Sequence, residues 1–185
     1  MREKIVIGVA GMPGAGKATI RRMAEKMGYP AVVMGDEIRE EAKRRGLKPT
    51  PEDLGMLMLK LREEKGLGVV AELCVPKIKE SGSKIVIVDG IRSLDEIEEF
   101  KRHFPNFFLI AIHTSPKARF ERLFQRRRSD DPSNWETFME RDSRELSMGL
   151  GSVIATADYL IVNEATKSQL TRKVRKVLKD VMKAE

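Results

Sequence analysis

An apolar run, Ile5-Val6-Ile7-Gly8-Val9-Ala10, breaks into Gly11-Met12-Pro13-Gly14-Ala15-Gly16-Lys17-Ala18-Thr19, and helical periodicity begins at Lys17. No other stretch narrows the choice of folds so far. A strand that ends in glycines and feeds a helix N-terminus makes a backbone cradle for phosphate. Glycine reaches conformations closed to other residues, successive N–H groups can turn onto polyphosphate oxygens, and the helix dipole adds positive potential. Lys17 supplies a mobile point charge for the outer phosphates. In loops of the pattern G-x-x-x-x-G-K-[ST] a hydroxyl follows the lysine and meets Mg²⁺, whereas here Ala18 follows and Thr19 comes one place later. Gly11 to Thr19 is thus the expected ATP-binding segment, with Thr19 as its hydroxyl toward a metal.

Beyond this loop, helices and strands alternate. Residues 17–28 read as a helix stopped by Gly28 and Pro30, and Ala31 to Met34 as a short strand. A helix starts at Gly35-Asp36-Glu37-Ile38-Arg39 and stops at Gly46; a second has Thr50 as N-cap and Pro51 at its first position. Leu54, Leu57, Met58 and Leu61 give that second helix an apolar stripe suited to core packing. Residues 68–80 also read as helix, although Pro76 should kink or interrupt it. Lys84 to Val88 and Phe107 to His113 are apolar runs of the buried parallel kind, and Tyr159 to Val162 is the last strand. Ser93 to Glu96, Ser133 to Glu136 and Thr166 to Gln169 have capping-box spacing, and Ser115-Pro116 opens a basic helix. Five strand–helix alternations predict a three-layer α/β/α fold around a five-stranded parallel sheet, as one domain over residues 1–185. A helical insertion at about residues 36–83 and a short lid at about residues 126–136 complete the expected plan.

Composition bounds the partners. Lys+Arg total 35 against 28 Asp+Glu, a net charge of +7 that favours anionic ligands. Within residues 117–128, Lys117, Arg119, Arg122, Arg126, Arg127 and Arg128 face only Glu121. Cys74 is the single cysteine, so no intrachain disulfide forms, and it makes no metal-ligand cluster with His103 and His113. The apolar start runs directly into the phosphate loop, and no run has the length of a membrane span. A cytoplasmic protein, monomeric or a small homo-oligomer, is the expectation. Two Gln and three Asn beside abundant Lys, Arg and Glu lean toward a heat-adapted source.

Asp89 ends the apolar strand Ile85 to Val88, where a carboxylate can hold Mg²⁺ through water or cap the next turn. Asp36 offers a second carboxylate, to orient metal-bound water, accept a proton or N-cap its helix. Arg39 and Arg92 each follow one of these by three residues and suit an acceptor's phosphate, or else pair with nearby Glu residues.

These motifs resemble the nucleotide kinases. Gly11 to Thr19 reads G-x-P-G-x-G-K-x-T and resembles the adenylate kinase branch, in which a small residue follows the lysine and the metal is held largely through nucleotide and water. Gly35-Asp36-Glu37-Ile38-Arg39 is similar to that family's G-D-x-x-R, which implies that Arg39 binds acceptor phosphate. Asp89-Gly90-Ile91-Arg92 resembles D-G-x-P-R with the proline missing and the arginine one place early. Arg122 and Arg126 match R-x-x-x-R before the lid, implying that Arg122 packs on adenine and Arg126 meets phosphate. Arg128-Ser129-Asp130-Asp131 resembles the R-x-D-D after it, and Arg141 the next phosphate arginine, so the lid is very short. Ala157-Asp158-Tyr159-Leu160-Ile161-Val162-Asn163 is similar to a strand of dephospho-coenzyme A kinases, whose following loop borders adenine. The nearest resemblance is to an uncharacterised archaeal family of P-loop proteins related to dephospho-coenzyme A kinase.

The resemblance implies ATP- and Mg²⁺-dependent phosphoryl transfer to a small nucleotide acceptor. Arg39 and Arg92 would hold the acceptor, while Lys17, Asp36, Asp89, Arg126, Arg128 and Arg141 serve the transfer. Gly11 to Thr19, Arg122 and Asn163 would bind ATP, with Thr19 and Asp89 near the metal. A nucleoside monophosphate is the first choice of acceptor and dephospho-coenzyme A the second. A rival from another class is a nucleotide-gated RNA-binding or ATPase regulatory protein using the basic patch, which lacks an aromatic stacking platform.

Overall fold

A computed structural model describes residues 4–128 and 131–183. Ile5–Ala10 (β1) is buried throughout and leads through the glycine loop into Lys17–Lys26 (α1). Ala31–Val33 (β2), Met34–Arg44 (α2), Pro51–Lys65 (α3) and Val69–Glu80 (α4) come next, then Ile85–Asp89 (β3), Leu94–His103 (α5) and Asn106–His113 (β4). Pro116–Arg126 (α6), Trp135–Ser147 (α7), Leu150–Ala155 (α8), Tyr159–Val162 (β5) and Lys167–Lys183 (α9) complete the order.

The strands form one parallel sheet in the order β2-β3-β1-β4-β5. Ile5, Ile7 and Val9 point to a layer closed by α1 and α9, through Ile20, Ala24, Val174 and Leu178. Val6 and Ala10 point to the opposite layer, where Ala42, Cys74, Ile78, Phe100 and Val153 come from α2, α4, α5 and α8. This is the expected three-layer architecture. The connections leave β1 and β3 toward opposite layers, so the loops after those strands part at one point of the carboxyl edge, which is where open α/β sheets bind ligands. Register keeps those loops together: Val9 pairs with Asp89, and the Val9 carbonyl accepts from Gly90 N at 3.1 Å.

Local chemistry explains most boundaries. Ser93 and Glu96 close a reciprocal capping box on α5, and Thr50 Oγ1 accepts from Asp53 N at 3.2 Å to start α3. Helix α4 runs unbroken through Pro76. Proline in a helix interior costs about 3 kcal/mol, but this helix buries Val69, Val70, Cys74, Val75 and Ile78, each worth about 1.5–3 kcal/mol for the larger side chains. The box expected from Ser133 to Glu136 sits one residue later: Asn134 caps α7 and Thr137 returns the bond, because an amide oxygen at Asn134 reaches Thr137 N at 2.9 Å. Met56 and Leu59 of α3 lie exposed, while Leu57 and Leu61 fill the core as expected.

Candidate active site

The loop between β1 and α1 is held from behind. Arg119 Nη1 donates to the Pro13 carbonyl at 3.2 Å. Asn163 Nδ2 donates to the Ala15 carbonyl at 2.8 Å, and Thr114 Oγ1 lies 3.0 Å from the same oxygen. In a trans peptide the C=O and the next N–H point oppositely, and the chain has no cis peptide bond among the described residues. Tying those two carbonyls back therefore aims the Gly14 and Gly16 N–H groups forward, into the cavity both glycines line. Their φ angles of 80° and 112° are in the left-handed region that glycine tolerates. A Cβ on Gly16 would come within 2.7 Å of Asn163 Nδ2, and one on Gly14 within 2.9 Å of the Arg119 carbonyl.

That cavity, about 370 Å³, opens at the carboxyl edge of the sheet. Its floor is Gly11, Pro13, Gly14, Gly16, Lys17, Ala18 and Arg21; the turn after β3 adds Asp89 to Arg92; the far wall brings Arg122, Arg126 and Arg128 with Arg141, Glu145 and Leu150. Seven basic side chains thus face two carboxylates, a donor set made for a polyanion. Lys17 Nζ donates to the Gly11 carbonyl and, at 3.4 Å, to that of Met12. Burial pulls the Lys17 ammonium down to about 8, with Asp89 pulling the other way. Burial likewise raises Asp89, against the pull of Lys17 and Arg21. Arg21 Nη1 stands 3.6 Å from Asp89 Oδ2, and Arg21 Nε, 3.8 Å from Glu25 Oε1, is buried with no hydrogen-bond partner.

Most of the residues singled out in the sequence meet here, and several do other work. Lys17, Asp89, Arg92, Arg122, Arg126, Arg128 and Arg141 all line the cavity. Asp131 gathers the last group: it accepts from Arg126 Nε at 2.9 Å and from Arg128 N at 2.9 Å, with Arg141 Nη1 4.0 Å away. Ser129 and Asp130 of that motif lie outside the described residues. Arg122 donates to Thr114 Oγ1 at 3.1 Å and to the Asn163 carbonyl at 2.9 Å.

Other expected site residues, Met12, Ala15, Thr19, Asp36, Arg39 and Asn163, are not among those lining the cavity. Met12 and Ala15 belong to the loop but are buried in the two core layers. Thr19 faces a separate cleft with Arg22, Lys26, Lys167 and Arg175, because one residue's 100° turn along α1 leaves Ala18 at the cavity instead. Asp36 is no N-cap: it lies inside the first turn of α2, ion-paired with Arg39, and both are more than half exposed and outside the cavity's lining. Asn163 is buried behind the loop and braces it. Arg119, counted in the basic patch, is 3% exposed and pairs bidentately with Asp142, itself 5% exposed.

Sequence reading missed Arg21, Glu145, Thr114 and the Arg119–Asp142 pair. Spacing alone offered the first two, since Arg21 is four residues after Lys17 and Glu145 four after Arg141, on the same helix faces. Asp142 is 23 residues from Arg119 and has no local signature.

Residues 10–139 match a family model described as an AAA domain, a P-loop domain that implies a nucleotide ligand. A UPF0200 protein from Thermococcus sibiricus is 50% identical over 177 residues, covering 94% of this chain and 93% of its own. Another, from Pyrococcus furiosus, is 50% identical over 178 residues, covering 94% and 96%. Among solved structures, TT1252 from Thermus thermophilus superposes with a TM-score of 0.69 at 18% identity over 97% of this chain and 98% of its own. A shikimate kinase from Bacteroides thetaiotaomicron does so with 0.64 at 17% identity, over 96% and 98%. At such identities the likeness is one of fold, the α/β fold of P-loop kinases.

Proposed function

The chain belongs to the UPF0200 protein family and carries an AAA-type P-loop domain, and on that premise we propose that it is an ATP- and Mg²⁺-dependent phosphotransferase acting on a small anionic acceptor. One observation carries the reading: a single cavity holds the P-loop lysine, the strand-end Asp89 and arginines from three further segments. A binding switch needs the loop and little else. Phosphoryl transfer also needs cations on the far side, because charge moves to the leaving oxygen as the bond breaks.

The triphosphate lies on the Gly14 and Gly16 amides, with Lys17 leaving the loop carbonyls for the outer phosphates. Among the described residues no group of three His, Cys, Asp or Glu side chains is disposed to hold a metal ion. The donor set therefore fits a Mg²⁺ carried by the phosphates and steadied by Asp89 through water, where it would offset phosphate charge. Arg126, Arg128 and Arg141, drawn together by Asp131, neutralise the group in transit and shield it from water, limiting idle hydrolysis. Arg92, on the turn after β3 and with a side chain 44% exposed at the cavity, suits the acceptor's anionic group. Arg39, turned onto Asp36, is the weaker candidate for that work.

Purified protein with Mg·ATP should release ADP in response to an acceptor from a panel of nucleoside monophosphates, dephospho-coenzyme A and shikimate. Release that no acceptor stimulates would defeat the proposal.

A further inference from the structure

Helix α7 turns two charged side chains toward the cavity, Arg141 and, one turn later, Glu145. The arginine fits a phosphate site; the glutamate does not. Glu145 is 7% exposed, and its Oε2 is buried without any hydrogen-bond partner. The nearest cation, Arg92 Nε, stands 3.6 Å from that oxygen, close enough for attraction and too poorly disposed for a hydrogen bond. Asp89, the other carboxylate of the cavity, has its own cation in Arg21, whose Nη1 stands 3.6 Å from it, so the two acids have different partners. A buried carboxylate oxygen left without a hydrogen bond is costly, and such groups in native proteins have a reason.

The acceptor's chemistry supplies one. A phosphate acceptor arrives with its attacking oxygen already ionised and asks only for cations. A carboxylate in the wall would repel it. An alcohol acceptor must shed a proton as its oxygen attacks, and a carboxylate in the wall takes it.

Resting on the phosphotransferase reading, we propose that Glu145 is the group that engages an alcohol acceptor, so that this protein phosphorylates a hydroxyl and not a phosphate. The hydroxyl oxygen forms a bond to the γ-phosphorus while the bond from that phosphorus to the β,γ-bridging oxygen breaks. The electron pair leaves with ADP, the hydroxyl proton passes to the Glu145 carboxylate, and solvent later receives it. The products are a phosphate monoester, ADP and one proton. Arg92, beside Glu145, holds an anionic substituent of the same alcohol.

Two measurements test this. The wild-type protein, given Mg·ATP with either anionic alcohols (dephospho-coenzyme A, shikimate) or nucleoside monophosphates (AMP, CMP, UMP), is read by phosphorus NMR. A new phosphomonoester signal supports the proposal. A new phosphoanhydride from a monophosphate overturns it and leaves the phosphotransferase reading intact; no product from either class overturns both. In the second measurement, E145Q should bind Mg·ATP within about twofold of wild type by calorimetry. Its kcat on the alcohol should fall by about 10²–10⁴-fold, and the rise of kcat with pH should disappear. If Glu145 is merely a counter-ion to Arg92, E145Q changes KM and keeps the wild-type pH profile of kcat, which would also overturn the assignment.

Discussion

Arg119 and Asp142 meet in the protein interior as a two-pronged ion pair, and the same guanidinium reaches on to the Pro13 carbonyl of the phosphate loop. Arg119 also lies over the Phe138 ring at 5.0 Å and donates to the Thr114 carbonyl at 3.1 Å. One side chain thus joins α6, α7 and the loop, and sets which way the Gly14 amide faces.

Removing one partner of a buried pair leaves the other charge stranded, at about 3–5 kcal/mol. Asp142→Ala should lose stability on that scale in urea unfolding. Replacing both residues with apolar ones, Arg119→Met with Asp142→Leu, should recover much of it, yet still bind Mg·ATP several-fold more weakly because the Pro13 tether is gone. Equal affinity for the double variant and the wild type would show that the tether does not shape the loop.

Lys17 predicts a pH dependence. Half-buried and pulled down by desolvation to about 8, its ammonium is charged below that pH and neutral above it in the free protein. Triphosphate favours the charged form and raises the pKa, so binding near pH 8.5 must take up a proton. Affinity for Mg·ATP should be flat below about pH 7 and then weaken toward tenfold per pH unit above about 8. Calorimetry in buffers of different ionisation heat checks both the slope and the proton.

Asp131 is the hub for Arg126, Arg128 and Arg141. Hydrogen bonds from Arg126 hold its carboxylate below the usual range, so it stays ionised under ordinary conditions. Asp131→Asn keeps the shape and loses the charge that draws Arg126 and Arg141 together. It should lower kcat roughly tenfold, a loss of about 1.4 kcal/mol at the transition state, with little change in ATP affinity. Steady-state kinetics beside calorimetry separates the two.

The sheet was legible because its strands are continuous apolar runs between glycine and proline punctuation, as in Ile85 to Asp89, and because the loop from Gly11 has one established use. The cavity's arginines were legible only through resemblance, since spacing cannot tell an arginine aimed at a ligand from one in solvent. Arg119 shows the difference: counted as surface charge, it is buried because Asp142 and the Pro13 carbonyl satisfy it. Thr19 and Asn163 were read by motif and turn away from the cavity for reasons of helix phase and loop bracing, which depend on what packs behind them. Glu145 carried a signal in its spacing from Arg141, but α7 had first to be oriented.

The claim on which the rest depends is that the tethered loop and Lys17 hold the phosphates of ATP. Calorimetric titration of the full chain with Mg·ATP tests it most directly. The account predicts saturable binding at one site per chain, weakened at least tenfold by Lys17→Ala. Absence of measurable affinity for any nucleoside triphosphate in the presence of Mg²⁺, or affinity indifferent to Lys17→Ala, would contradict it.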